Sequence, residues 1–130
     1  MLSIIAWGRM GIFTIELSSD HAEWSRFNVR LMCELQSAGG LRTGFAATGE
    51  KDDAGRSVLQ TEPCERVRAF VYAIPESLPV DRTVGRQPDF AARLRISCDG
   101  RTVSDERIAI NRWGGTSTER LCDSKGILHR

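Results

Sequence analysis

The chain has 130 residues, 41% hydrophobic and 27% charged, which fits one ordinary folded domain and is too little for two. That composition excludes disordered, collagen-like and low-complexity sequence for the bulk of the chain. Eighteen Lys and Arg against 17 Asp and Glu leave a formal charge of +1, so no net field gathers polyanions or an anionic membrane.

In chain order, the apolar start within Met1 to Trp7 stops at Gly8-Arg9 after about six residues, short of the roughly 7 to 15 of a signal-peptide core. No run approaches the roughly 20 apolar residues of a membrane helix. The expectation is a soluble, cytoplasmic protein with no membrane partner. Leu2 to Trp7 and Ile12 to Leu17, around Gly8-Arg9-Met10-Gly11, have the pattern of a hairpin with Phe13, Ile15 and Leu17 inward.

Two periods fit the stretch from Asp20 to Gly40. With period 3.6, Trp24, Phe27, Leu31 and Leu35 form a stripe, which gives the alternative of an α+β fold with one helix near residues 20–38. With period two, Phe27, Val29, Leu31, Cys33 and Leu35 all share one face. A helix turns Val29 and Cys33 away from its stripe, so a strand after a short helical turn at Asp20 to Ser25 is expected.

Gln36 to Arg56 is polar and glycine-rich, which predicts a long loop or a short irregular strand pair. Ser57 to Gln60 reads as a short strand. Arg66 to Ile74 reads as a central one, apolar on both faces. Pro75, Pro79 and Pro88 bracket a second loop, 75–89, without regular structure. Phe90 to Cys98, the turn Asp99-Gly100 and a return over Thr102 to Trp113 give the firmest pattern, a β-hairpin with a type I′ turn. The expected architecture is all-β, an antiparallel two-sheet sandwich of about seven short strands over 1–121, with a polar tail at 122–130.

The search for chemistry returns little. His21 and His129 are the histidines, and no nucleophile elbow accompanies either. Gly39 to Gly44 matches no phosphate-binding glycine motif. Glu50, Asp52 and Asp53 could offer oxygens to calcium, but Lys51 and Arg56 already supply countercharge. Cys33, Cys64, Cys98 and Cys122 lack C-x-x-C spacing, so reduced thiols are expected, with Cys33 and Cys98 inward and Cys64 and Cys122 in polar surroundings. Cys33 and Cys98 are 65 residues apart, a spacing similar to the bridged pair of an immunoglobulin domain. The accompanying strand tryptophan and tyrosine corner are missing, with Ile96 in the tyrosine position, and no family follows. Neither a cofactor nor a metal is expected.

Arginine remains, at 16 of the 18 basic residues. If the strands of Arg66, Arg68, Phe70 and Tyr72 and of Arg93 and Arg95 were neighbours, four guanidiniums would cluster beside two aromatics. Ion pairing with Glu16, Glu34 and Glu106 is the plainer use of these residues.

The function expected is a non-catalytic protein-protein binding or assembly module, self-associating or part of a larger complex. Its sequence warrant is the two-faced strand 66–74 and the tryptophans Trp7, Trp24 and Trp113. A small ligand- or carbohydrate-binding sandwich, with Trp24 or Trp113 stacking and Asp89 or Asp105 assisting hydrolysis, is the first alternative. Weak single-stranded nucleic-acid binding through the arginine face is the second. The candidate binding residues are Arg42, Phe45, Arg56, Arg82 and Arg86 on or beside the two loops, and Arg66, Arg68, Tyr72, Arg93 and Arg95 on the strands.

Overall fold

The structure, a computed structural model, describes residues 9–37, 40–44, 51–76 and 88–128. Nine strands are found among them: β1 (Phe13–Ser18), β2 (Phe27–Ser37), β3 (Gly40–Gly44), β4 (Arg56–Gln60), β5 (Arg66–Pro75), β6 (Phe90–Cys98), β7 (Arg101–Ile110), β8 (Thr116–Asp123) and β9 (Gly126–Ile127). They form two sheets, a four-stranded one in the order β4-β1-β6-β7 and a five-stranded one in the order β3-β2-β5-β8-β9, and every pairing is antiparallel. The fold is an all-β two-sheet sandwich.

Period two builds the core. Phe13, Ile15 and Leu17 of β1, Val29 and Leu31 of β2, Val67, Ala69, Val71 and Ala73 of β5, and Leu94 and Ile96 of β6 are all fully buried. Burying each large aliphatic or Phe side chain contributes about 1.5–3 kcal/mol. The same alternation decides the ambiguous stretch: β2 buries Phe27, Val29, Leu31, Cys33 and Leu35 on one side. The helical component shrinks to a 3-10 turn at Ala22–Arg26, as expected for the residues before it. β5 is central, paired with β2 and β8. Asp99 and Gly100 take φ of 50° and 81°, the positive angles of the expected β6–β7 turn.

Three expectations need correction. β1 is hydrogen-bonded to β4 along one edge and β6 along the other, so it has no edge free for a hairpin with Leu2 to Trp7, a run outside the described residues. The strand after the Asp99-Gly100 turn stops at Ile110 rather than Trp113. There Asn111 Oδ1 accepts the Trp113 and Gly114 amides, and the chain crosses to the other sheet. Of the polar tail set at 122–130, residues 122–127 belong to the sandwich, since β8 and β9 extend through Ile127 and Cys122 is fully buried.

β8 is polar because it lies toward the sandwich's edge. Its inward Arg120 meets Glu106 of β7, from the opposite sheet, at 2.6 and 3.0 Å. The polar surroundings expected for two thiols are likewise replaced by burial: Cys64 is held by a two-way backbone bridge to Gly11, and all four cysteines are buried and free.

Two outcomes follow. At Gly115, φ is +80° and an added Cβ would lie 2.3 Å from the Ala73 carbonyl oxygen and 3.1 Å from Ile74 Cα. Gly115→Ala should lower stability in urea unfolding by at least the roughly 1–3 kcal/mol of a left-handed non-glycine residue, and an unchanged midpoint contradicts this close approach. Burial raises the Cys33 and Cys98 thiols above their ordinary range and pushes Cys122 up to about 12. A thiol reagent near pH 8 should therefore label the native protein slowly and modify all four cysteines after denaturation, whereas fast native labelling of Cys122 contradicts its burial.

Candidate functional site

The first candidate is the cleft beside the 3-10 turn, a cavity of about 530 Å³ lined by Asp20, His21, Lys51, Asp53 and Glu76, among others. Two of these side chains, His21 and Lys51, are committed to structure. His21 caps the turn, its Nδ1 accepting the Glu23 amide at 3.1 Å, and its ring stacks on Phe90 at 4.4 Å between centroids. Glu23 binds Arg26 at 2.8 Å and Arg112 at 2.9 Å, and Arg112 Nη2 lies 3.3 Å from His21 Nε2. Lys51 donates to the carbonyls of Trp24 and Phe27 and stands over the Trp24 ring at 4.9 Å, its pKa lowered by burial and partly restored by Glu76.

Trp24 and Asp52, two of the groups proposed for ligand or metal chemistry, are used in the same way. Trp24 is 3% exposed and gives its indole N–H to the Gly55 carbonyl, so no face remains on which a sugar could stack. Asp52 accepts the Ala54 and Arg56 amides and the Arg56 Nε–H, closing the turn before β4. Glu50 and His129 lie outside the described residues, and among those described no three His, Cys, Asp or Glu gather at metal-ligating distance.

The second candidate is the outer face of the four-stranded sheet. Strand register sets Arg56, Ser18, Arg93 and Arg107 side by side in one row across β4, β1, β6 and β7. The next row is Val58, Glu16, Arg95 and Asp105. Two expected site residues, Arg56 and Arg93, therefore share a row, Arg95 stands next to them, and Arg107 joins although its motif gave no reason to single it out. Arg93 is bidentate to Asp105, at 2.8 and 2.5 Å, and Arg95 bonds Thr102. Arg56 reaches Glu16 at 3.8 Å. Hydrogen bonds from Arg93, with the charges of Arg95 and Arg107 adding, hold the Asp105 carboxyl below its ordinary range, so it cannot serve as a proton donor near neutral pH.

The third candidate is the outer face of the five-stranded sheet. Met32, Phe70 and Tyr72 form its half-buried centre and Ile74 is 48% exposed. Arg68 lies between Glu34 at 3.7 Å and Glu119 at 3.5 Å. Arg66 and Arg68 thus belong to one sheet and Arg93 and Arg95 to the other, on opposite outsides of the sandwich, and the expected four-arginine cluster beside Phe70 and Tyr72 does not form. The ion pairs took precedence: Glu16, Glu34 and Glu106 each meet an arginine. Arg42 stands in β3 in register with Leu35. Phe45, Arg82 and Arg86 lie outside the described residues.

Neither a protein-family model nor a curated protein matches the chain. Among solved structures, one similar to it is a DUF4425 family protein from Bacteroides ovatus ATCC 8483, at 10% identity and a TM-score of 0.45, covering 86% of this chain and 92% of that one.

Asp52 and Asp105 are both held below the ordinary carboxylate value, Asp52 first by the Arg56 amide and Asp105 first by Arg93. A carboxylate depressed in the folded state stabilises above its unfolded value of about 4 and loses that contribution as pH falls through the lower folded value. Asp52→Asn with Asp105→Asn should therefore flatten the acid limb of the stability profile below about pH 4. A limb as steep as the parent's assigns that limb to other carboxylates.

Proposed function

We propose that this chain is a non-catalytic assembly module that pairs with a second copy of itself through the outer face of the five-stranded sheet. The observation that carries the reading is the arrangement around Phe70 and Tyr72. Both point outward from the central strand, Met32 is level with Phe70, and Ile74 follows at the end of the row. Aromatic residues, Met and Arg with few charges at the centre are the composition of the buried part of a protein interface.

Charge placement favours a like partner. Arg30, in register with Tyr72 on one side, is exposed and has no ion pair with a described residue. Glu119, in register with Phe70 on the other side, has a side chain 54% exposed and only a 3.5 Å contact to Arg68. A two-fold axis in the interface, at right angles to the Arg30–Glu119 diagonal, lays Arg30 of each copy on Glu119 of the other. It also brings the two copies of Phe70 and Tyr72 together at the centre. The commitment of His21, Lys51, Asp52 and Asp105 to structure and the burial of the four thiols support a module without chemistry of its own.

Sedimentation velocity over a concentration series tests the reading. The parent should dimerise, and Arg30→Glu or Glu119→Arg alone should weaken the dimer by about tenfold or more, because like charges then face each other. The double exchange should restore it, since the two-fold pairs the swapped charges again. A parent that stays monomeric throughout, or a Tyr72→Glu variant that dimerises like the parent, overturns the proposal.

A further inference from the structure

The outer face of the opposite sheet carries an independent feature. Arg93 and Arg107 are directly opposed on β6 and β7, and Arg56 stands in the same row two strands from Arg93 with Ser18 between them. Like charges directly opposite each other on neighbouring strands destabilise a sheet, so a row with three guanidiniums is an arrangement that folding alone does not favour.

The commitments within the row are uneven. Asp105 occupies Nε and Nη2 of Arg93, leaving its Nη1. Asp52 occupies Nε of Arg56, and Glu16 stands 3.8 Å from its Nη1. Arg107 is exposed and makes no hydrogen bond or ion pair to a described residue, and neither does the hydroxyl of Ser18. A cavity of about 320 Å³ lies along the row, lined by Arg56, Arg93, Arg107, Ser18 and the small Ala91, with Asp20 the one carboxylate on its wall. Asp105 and Asp52 thus offset part of the charge of Arg93 and Arg56, while the Arg107 guanidinium and the Ser18 hydroxyl stay uncommitted over a floor of small side chains.

We propose that the row Arg56, Ser18, Arg93 and Arg107 binds a tetrahedral oxyanion, a phosphate or sulfate group. Guanidinium N–H groups meet such an anion in charge-assisted, often bidentate hydrogen bonds, and the Ser18 hydroxyl adds a neutral donor at mid-row. Bound anion removes the Arg93–Arg107 repulsion, so the ligand and the fold stabilise each other. No aromatic residue shares this face among the described strands' outward rows, which leaves base stacking without a platform and makes the oxyanion itself the recognised group.

The test titrates the full chain with inorganic phosphate, sodium sulfate and O-phospho-L-serine, each against sodium chloride at matched ionic strength. The readouts are the arginine Nε–H resonances and the thermal midpoint. Saturable shifts confined to Arg56, Arg93 and Arg107, with a midpoint that rises in step, are expected from ligand binding to the folded state. The tightest of the three ligands tells whether the site prefers a free ion or an ester. Arg107→Gln should weaken binding about tenfold, the loss of one charged partner, and should match or exceed the parent's midpoint in chloride alone. Lys125→Gln, in the exposed turn between β8 and β9, should bind as the parent does. Shifts no larger than chloride's, shifts spread over arginines of both sheets, or an Arg107→Gln variant that binds like the parent each overturn the proposal.

Discussion

The inward apolar faces of four strands hold this molecule together. β1 and β6 in one sheet and β2 and β5 in the other bury Phe13, Ile15, Leu17, Leu94, Ile96, Val29, Leu31, Val67 and Val71 completely, and no single sheet could cover those faces by itself. Because the side-chain period of a strand is two, a slip of one residue in any of them would send its apolar set to solvent and its polar set inward. Register is therefore fixed by burial, and with it every row of outward side chains.

The margins of the sandwich are closed by polar groups. Arg120 of β8 points inward, where a hydrophobic residue would be expected deeper in the core, and is neutralised by Glu106 from the facing sheet. At the other end His21, Glu23 and Arg112 link the 3-10 turn to the β7–β8 connection, and Lys51 ties the segment before β4 to the carbonyls of Trp24 and Phe27. These contacts engage His21, Glu23 and Lys51, three of the titratable groups around the 3-10 turn. The two outer faces carry the other features, one an aromatic strip between opposite charges and one a row of arginines.

Much of this was legible in the chain. Alternation alone distinguished strand from helix over residues 27–35, marked β5 as central and found the β6–β7 hairpin, because each of those segments buries one whole face and burial leaves a periodic trace. Asp99-Gly100 was legible because few residue pairs accept two successive positive φ angles. β8 was not, since Thr116, Thr118 and Arg120 face inward near the edge of the sandwich, where a salt bridge substitutes for apolar burial and erases the period. Cys64 and Cys122 read as thiols in polar surroundings from their acidic neighbours, yet β8 sends Cys122 and Asp123 to opposite sides, and beside Cys64 the acidic Glu65 is itself buried.

The sequence by itself determined the class of the fold, the inward residues of its strongest strands and the identity of the arginines most worth following. Only the tertiary structure decided which arginines meet. Arg66 and Arg93 belong to equally strong strands 27 residues apart, and nothing local records that β5 and β6 enter different sheets. Arg107 carries no motif and becomes part of a row only through its pairing with Arg93, whose other neighbour, Ser18, comes from the far end of the chain. Sheet membership and register are long-range properties, set by which apolar faces cover each other, and the position of every outward charge follows from them.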